Sequence, residues 1–426
     1  MRFFRTARAG FPGEGVPVSG DAAFLRRYCG VLAGCALVTI VLAFPFSWWW
    51  LHESGDVAVE RAVAAQAAGK FALFGSGVSQ DFVDYKLRLY AAVKPRIAAV
   101  GSSRVMQFRG VYFRAPFLNM GGVAGNLAVL RSTLDAMLAV HKPEAVILGL
   151  DFWWFMPQWE PEPFKLIPPT SGSYAYGLES LKKPWAWLLK GRISPRDLAA
   201  PFLPSSGGGF RDDRYGIMAQ RTDDGFGPDG SWYNTAEITG QRHPLDYQFA
   251  DTLAQVRHGI KAFYRAGAGQ ASPGEAHLDA FAEIYCRLRA RGIRTYAFIP
   301  PLAGRVLAAM RERQSGYPHL FALRQALLER GIDVLDCTDP VVLGSNDCEF
   351  IDGFHGGEIT YARLLGTLVD RWPDLLEYLD MERIGVAVRE WRGHALARDV
   401  RLTRLWERDF NGFGCVKRQP AGEGEE

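Results

Sequence analysis

The chain has no lysine or arginine block: across its 426 residues, 49 Lys and Arg stand against 46 Asp and Glu, a formal net charge of +3. Tracking a phosphate backbone takes a basic stripe or patch, so nucleic acid is not expected as a partner. Cysteine is sparse, with six residues, no C-x-x-C pair and no His/Cys cluster at zinc spacing. That leaves no case for a zinc site, and neither a metal nor a bound cofactor is expected. Internal repeats and extended low-complexity tracts are also missing. What the sequence has in surplus is aromatic residues, 13% of the chain with 12 Trp. They concentrate outside the predicted strands, which points to binding surface as well as core.

One long run lacks charge altogether. Tyr28 to Leu51 (YCGVLAGCALVTIVLAFPFSWWWL) has no charged side chain over 24 residues, enough to cross a bilayer core as a helix. Arg2, Arg5, Arg8, Arg26 and Arg27 precede it, against Glu14 and Asp21, and Glu53 and Asp56 follow. The positive-inside rule therefore predicts a single-pass inner-membrane protein with a cytoplasmic N-terminus and a periplasmic, extracytoplasmic main domain from His52 onward. Trp48, Trp49 and Trp50 suit the outer interfacial belt, and Pro45 is tolerable near the helix end. A cleaved signal peptide is the rival reading; the run is long for one, and no small-residue cleavage site follows closely. Of the cysteines in the exported part, Cys337 and Cys348 bracket a short loop and are the expected disulfide, with buried free thiols as the alternative.

Organisation along the chain reads as a cytoplasmic segment 1–27, the membrane helix 28–51, an alanine-rich stalk and lead-in helix 52–92, a main domain 93–380 and a helical tail 381–426 ending in a disordered PAGEGEE. Strands are predicted at Arg96–Val100, Pro116–Met120, Ala145–Leu150, Gly292–Ile299 and Gly331–Leu335, with helical patterns between them. One of these helices opens on a capping box, Ser272 with Glu275, and Pro273 at the first position. Such alternation gives the α/β class, a mostly parallel sheet covered on both faces. Residues 152–245 break the rhythm with a Trp-, Pro- and Gly-rich insertion. This reads as a functional cap or partner surface, or as aromatic packing that shields the sheet.

Ligands of an open parallel sheet collect at the carboxyl ends of its strands, and four polar motifs fall there. Gly101-Ser102-Ser103-Arg104 ends the first strand; its turn fits an anion cradle, or a helix N-cap made by Ser102 or Ser103. Asn119-Met120-Gly121-Gly122-Val123-Ala124-Gly125-Asn126 ends the second, and Leu148-Gly149-Leu150-Asp151 the third. Asp352-Gly353-Phe354-His355 lies far downstream in a glycine-flanked loop. Serine is a poor nucleophile unless an imidazole takes its proton and a carboxylate fixes that imidazole's tautomer. All three types are present, and none of the other seven histidines follows an acid by three residues in such a loop.

In order and placement these motifs resemble the SGNH (GDSL-like) hydrolase superfamily, and more closely its membrane-anchored extracytoplasmic branch associated with polysaccharide O-acylation. The likeness covers roughly residues 95 to 370, without the aromatic insertion. It implies a flavodoxin-like three-layer α/β fold, with Ser103 as nucleophile, Ser102 in place of the usual Asp, His355 as general base and Asp352 as orienting acid. Oxyanion donors would be the amides of Ser103 and Gly125, with Gly122 an alternative to the latter. One departure stands out: the family's third motif ends in Gly-x-Asn, and Asp151 occupies the Asn position. An ionised carboxylate there would repel an oxyanion, and losing one donor costs roughly 3 kcal/mol. Three resolutions are open: a protonated Asp151, a donor amide from Asn126, or a site with little hydrolytic activity whose task is transfer or binding. Arg104 would contact a uronate or phosphate on the substrate, or form a surface salt bridge. The resemblance implies a serine esterase or O-acyltransferase acting on acyl, usually acetyl, esters of a cell-surface or exported polysaccharide, with the Trp-rich insertion stacking on sugar rings. The competing expectations are a non-catalytic accessory protein that binds glycan or an integral-membrane acyltransferase, and a flavodoxin-like phosphate or cofactor binder using the GSSR loop.

Overall fold

A computed structural model describes residues 19–418 apart from 79–81, 157–177, 244–245, 259–263, 267–272, 400 and 403–405. The chain divides into a unit of residues 1–50 and a unit of residues 51–426. Among the described residues one helix, Ala22–Glu53, is long and apolar enough to cross a membrane by length and composition. It contains the expected 28–51 span. Its α-helical path widens to a π-turn at Thr39–Ala43, which ends two residues before Pro45. Proline removes an N–H and crowds the carbonyl four residues back, and a wider turn relieves both.

The main unit is built on a five-stranded, all-parallel sheet: β1 Ile97–Gly101, β2 Phe117–Gly121, β3 Ala145–Gly149, β4 Arg294–Ile299 and β5 Val334–Asp336. Their spatial order is β2-β1-β3-β4-β5. Because strand side chains alternate between faces, each strand feeds two cores. Ala98, Val100, Leu118, Met120, Val146 and Leu148 join one cluster with the helices Val83–Val93, Leu127–Val140 and Glu275–Ala290. Ile97, Ala99, Phe117, Ala145 and Ile147 join another with the helices Glu358–Arg371 and Met381–Glu390. Burial on both faces explains why these strands read as continuous apolar runs.

Several boundaries differ from the sequence reading. β4 and β5 begin after, not at, Gly292 and Gly331; both glycines have positive φ (74° and 70°) just past a helix end, where they terminate the helix instead of starting the strand. The Glu275–Ala290 helix is capped by Gly274, so Pro273 precedes the cap, and Ser272 lies outside the described residues. Residues 52–92 are not a free stalk: Val59, Ala62 and Val63 are core, and Leu73–Phe74 pairs with Arg214–Tyr215 and with Phe226 in a second, four-stranded sheet. The 178–243 part of the insertion thus shares a small sheet with the segment preceding the main domain. The C-terminal tail leaves helix after Glu390, and the final PAGEGEE lies outside the described residues.

Candidate active site

At the end of β1 the chain enters a short 3-10 turn, Ser103–Val105, and the two serines divide the work. Ser102 is extended (ψ −169°), and its Oγ accepts from the Arg104 amide at 3.2 Å, capping the turn. Ser103, one residue on, keeps its hydroxyl exposed. The sharp entry requires Gly101: a Cβ there would sit 2.4 Å from Val105 Cγ2 and 3.0 Å from the Gly149 carbonyl oxygen. The Gly101 carbonyl in turn accepts from Gly122 N (3.1 Å) and Ala124 N (3.2 Å), fastening the second glycine motif beside the serine turn. Asn119, a polar residue in a buried strand, completes the brace: Nδ2 donates to Val105 O (3.0 Å) and Phe108 O (2.9 Å), and Oδ1 accepts from Gly121 N (2.7 Å).

Across this turn lies the Asp352–His355 loop. Ser103 Oγ and His355 Nε2 are 2.8 Å apart, and His355 Nδ1 is 2.7 Å from Asp352 Oδ2. Asp352 Oδ1 accepts from the amides of Phe354 (3.0 Å) and His355 (2.8 Å). Burial works to raise the Asp352 carboxyl pKa, but the facing His355 ring and these hydrogen bonds outweigh it and hold the carboxyl below its ordinary range. Asp352 is therefore the ionised partner that keeps Nδ1 protonated and Nε2 free to accept from the Ser103 hydroxyl. Gly353 (φ 82°) makes the turn possible, and a Cβ there would strike Val306 and Phe249. The Thr252 hydroxyl donates to the Asp352 carbonyl at 2.7 Å; Thr252 lies far from either motif in sequence and carried no signal.

The expected oxyanion residues separate into two sets. Ser103 and Gly125 line the cleft beside His355, and among the described hydrogen bonds neither of their N–H groups has a partner. A Cβ built on Gly125 meets open space. Gly122, the alternative, has spent its N–H on the Gly101 carbonyl. Asn126 does not line the cleft: its Oδ1 accepts from Val129 N at 2.9 Å and caps the Leu127–Val140 helix. Asp151 is also withdrawn, buried at 1% exposure, with Oδ1 3.2 Å from Arg104 Nη1. Burial pushes its carboxyl up to about 6 against the pull of Arg104 and the Ser102 hydroxyl, which leaves it mostly ionised at neutral pH.

Arg104 corrects the sequence reading. It is neither a cleft residue nor on the surface: at 1% exposure its guanidinium donates to Asp151, to Phe354 O (3.2 Å) and to the carbonyls of Pro300 (2.9 Å) and Pro301 (2.8 Å), and it stacks 4.6 Å from the Phe354 ring. It ties the serine turn, the end of β4 and the histidine loop into one body. A second correction concerns the cysteines. Cys348 pairs with Cys415, not with Cys337, whose thiol is free and buried. Cys337 directly follows β5 with its side chain in the sheet core.

The cleft above Ser103 measures about 1000 Å³. Its far wall comes from the aromatic-rich insertion and the chain after it, with Trp153, Trp187, Trp232 and Tyr264 contributing rings. Trp153 stacks on Tyr264 at 4.4 Å. The FWWFMPQWEPEPF stretch is described only as far as Met156. Among the described residues no group of three or more His, Cys, Asp or Glu side chains is placed to hold a metal ion. No protein-family model matches this chain, and no curated protein matches it.

Proposed function

We propose that this protein is a membrane-anchored, extracytoplasmic serine esterase or O-acyltransferase of the SGNH type, acting on acyl esters of a cell-surface or exported polysaccharide. The observation that carries the reading is the continuous chain Ser103 Oγ, His355 Nε2, His355 Nδ1, Asp352 Oδ2, at 2.8 and 2.7 Å, opening on a cleft. Two features of the fold support it. The strand order, numbered along the sheet as 2-1-3-4-5, is the flavodoxin-like order, and Ser103 follows the strand at which that order reverses, where such sheets bind ligands. A Cys348–Cys415 disulfide suits an oxidising compartment outside the cytoplasm.

In this mechanism His355 Nε2 takes the Ser103 proton as Oγ attacks the ester carbonyl. The tetrahedral oxyanion is held by the amides of Ser103 and Gly125. Collapse expels the alcohol, which leaves with the proton from His355, and an acyl-serine remains. Water or a sugar hydroxyl, deprotonated by His355, then takes the acyl group and releases Ser103. A volume of about 1000 Å³ far exceeds what an acetyl group fills, and the rings of Trp153, Trp187, Trp232 and Tyr264 that line it fit sugar faces. Asp151 favours a second reading, a non-catalytic glycan- or acyltransferase-binding protein, because the oxyanion position is left with backbone donors alone.

Detergent-solubilised full chain assayed on p-nitrophenyl acetate, beside Ser103→Ala and His355→Ala, separates the two. Loss of hydrolysis in both variants, with fluorophosphonate labelling of the wild type at Ser103, is the expected result. Equal rates in all three, without labelling, would establish the accessory role.

A further inference from the structure

Resting on that reading, we propose that residues 406–418 are a positioning element of the Ser103–His355–Asp352 site, and that the Cys348–Cys415 disulfide makes acyl transfer dependent on an oxidising environment. The histidine loop is closed at its base by the Phe350–Gly356 bridge, by Ile351 N to His355 O (2.9 Å) and by Gly357 N to Glu349 O (2.7 Å). The C-terminal segment grips that base. Cys415 is bonded to Cys348, four residues before Asp352. Asn411 Nδ2 donates to the carbonyls of Phe350 (3.3 Å) and Ile351 (3.4 Å). Lys417, nearly buried, donates to Cys348 O (3.1 Å) and Gly393 O (2.7 Å) and pairs with buried Glu407. Phe413 packs edge-on against Phe249 at 4.7 Å, the same ring that abuts Gly353 between Asp352 and His355.

Cys415, Asn411 and Lys417 thus reach residues 348–351 at the base of the loop that carries His355, and Ser103 stands on a separate element. Loosening the segment therefore lets His355 leave Ser103 while the rings of Trp153, Trp187 and Trp232 stay on elements the segment does not bond, so turnover falls while substrate binding persists. A dithiol supplies the chemistry. One thiolate attacks a disulfide sulfur, forming a mixed disulfide and releasing one cysteine thiolate. The second thiol displaces the other, so that two electrons pass to the cysteines and the dithiol leaves as its cyclic disulfide.

The test compares full-length protein before and after dithiothreitol with Cys415→Ser and Asn411→Ala, on p-nitrophenyl acetate, at a temperature where circular dichroism shows all forms folded. The expected result is a kcat at least tenfold lower on reduction and in Cys415→Ser, several-fold lower in Asn411→Ala with the disulfide intact, KM within about twofold, and recovery on reoxidation. A disulfide that only stabilises the fold would lower the melting temperature and leave kcat unchanged, which overturns the proposal. If Ser103→Ala and His355→Ala are inactive while the reduced enzyme keeps full kcat, this inference alone fails. If those two variants keep wild-type activity, the catalytic reading itself fails. Should Cys415→Ser not fold, Asn411→Ala and the reduced wild type decide.

Discussion

Single residues at this site are fixed by how little space and charge they can spare. Gly125→Ala should keep near-wild-type kcat, because the added methyl enters open space and the amide N–H remains. Gly122→Ala should lose activity: its φ is 89°, and the new Cβ would lie 2.2 Å from Met106 Cε. Measuring kcat for the two alanine variants checks how much the backbone geometry of each glycine matters to the site. Asp352→Asn keeps the shape of the loop but surrenders the charge that fixes the His355 tautomer, and kcat should fall by about a thousandfold or more with KM little changed.

Asp151 gives a pH prediction of definite sign. Burial raises its carboxyl from 3.8 to about 6 in the folded protein, so the folded state holds this proton more tightly than the unfolded chain does. Its contribution to stability is greatest below about pH 4 and declines as pH rises through 6, by roughly 3 kcal/mol in all. Asp352, held below its ordinary range, acts in the opposite sense, stabilising above the unfolded-chain value and losing that contribution in acid. Urea midpoints of wild type and Asp151→Asn between pH 4 and 7 should therefore converge on one side and diverge on the other. The variant should lack the wild type's decline across pH 4 to 6; a parallel pair of curves would refute the assignment.

Among the elements, the insertion supplies rings to the cleft above the serine. Trp187 and Trp232 line the cleft from segments outside the five-stranded sheet, so Trp187→Ala and Trp232→Ala should raise KM for a bulky glycan ester and leave p-nitrophenyl acetate turnover within a few-fold. The hairpin bearing Trp232 is anchored from the sheet side. Fully buried Lys86 donates to the carbonyls of Asn119 (2.7 Å) and Gly230 and lies 4.2 Å from the Phe226 ring centre. Lys86→Met should disturb this hairpin before it disturbs the sheet, an effect that hydrogen exchange at residues 225–233 would localise.

At the scale of the whole molecule, the Ala22–Glu53 helix and the proposed orientation give a direct test. Cys286 is exposed on the Glu275–Ala290 helix. With Cys29 and Cys35 replaced by serine, a membrane-impermeant maleimide should label Cys286 in intact spheroplasts; labelling only after lysis would invert the topology.

Local chemistry made much of this readable from the residues in order. Strands buried on both faces are mostly apolar, so all five strands of the main sheet were visible in the sequence. An acid three residues before a histidine in a glycine-flanked loop marked the hydrogen-bonded Asp352–His355 pair, and an uncharged 24-residue run marked the helix long and apolar enough to cross a membrane. Arg104, Cys415, Asn119 and the 52–92 segment were beyond reach, because each is defined by partners brought up from distant parts of the chain. An arginine beside a serine reads the same whether it faces solvent or donates to three carbonyls beneath the site. A cysteine's partner is set by where two backbones meet, not by spacing along one. Composition and periodicity determined which elements form and which residue types stand at strand ends. Tertiary structure alone decided that Ser103 and His355, 252 positions apart, lie 2.8 Å from each other, since chain closure over such a distance is stabilised by the packed sheet and by long-range ties such as Arg104 to the Phe354 carbonyl.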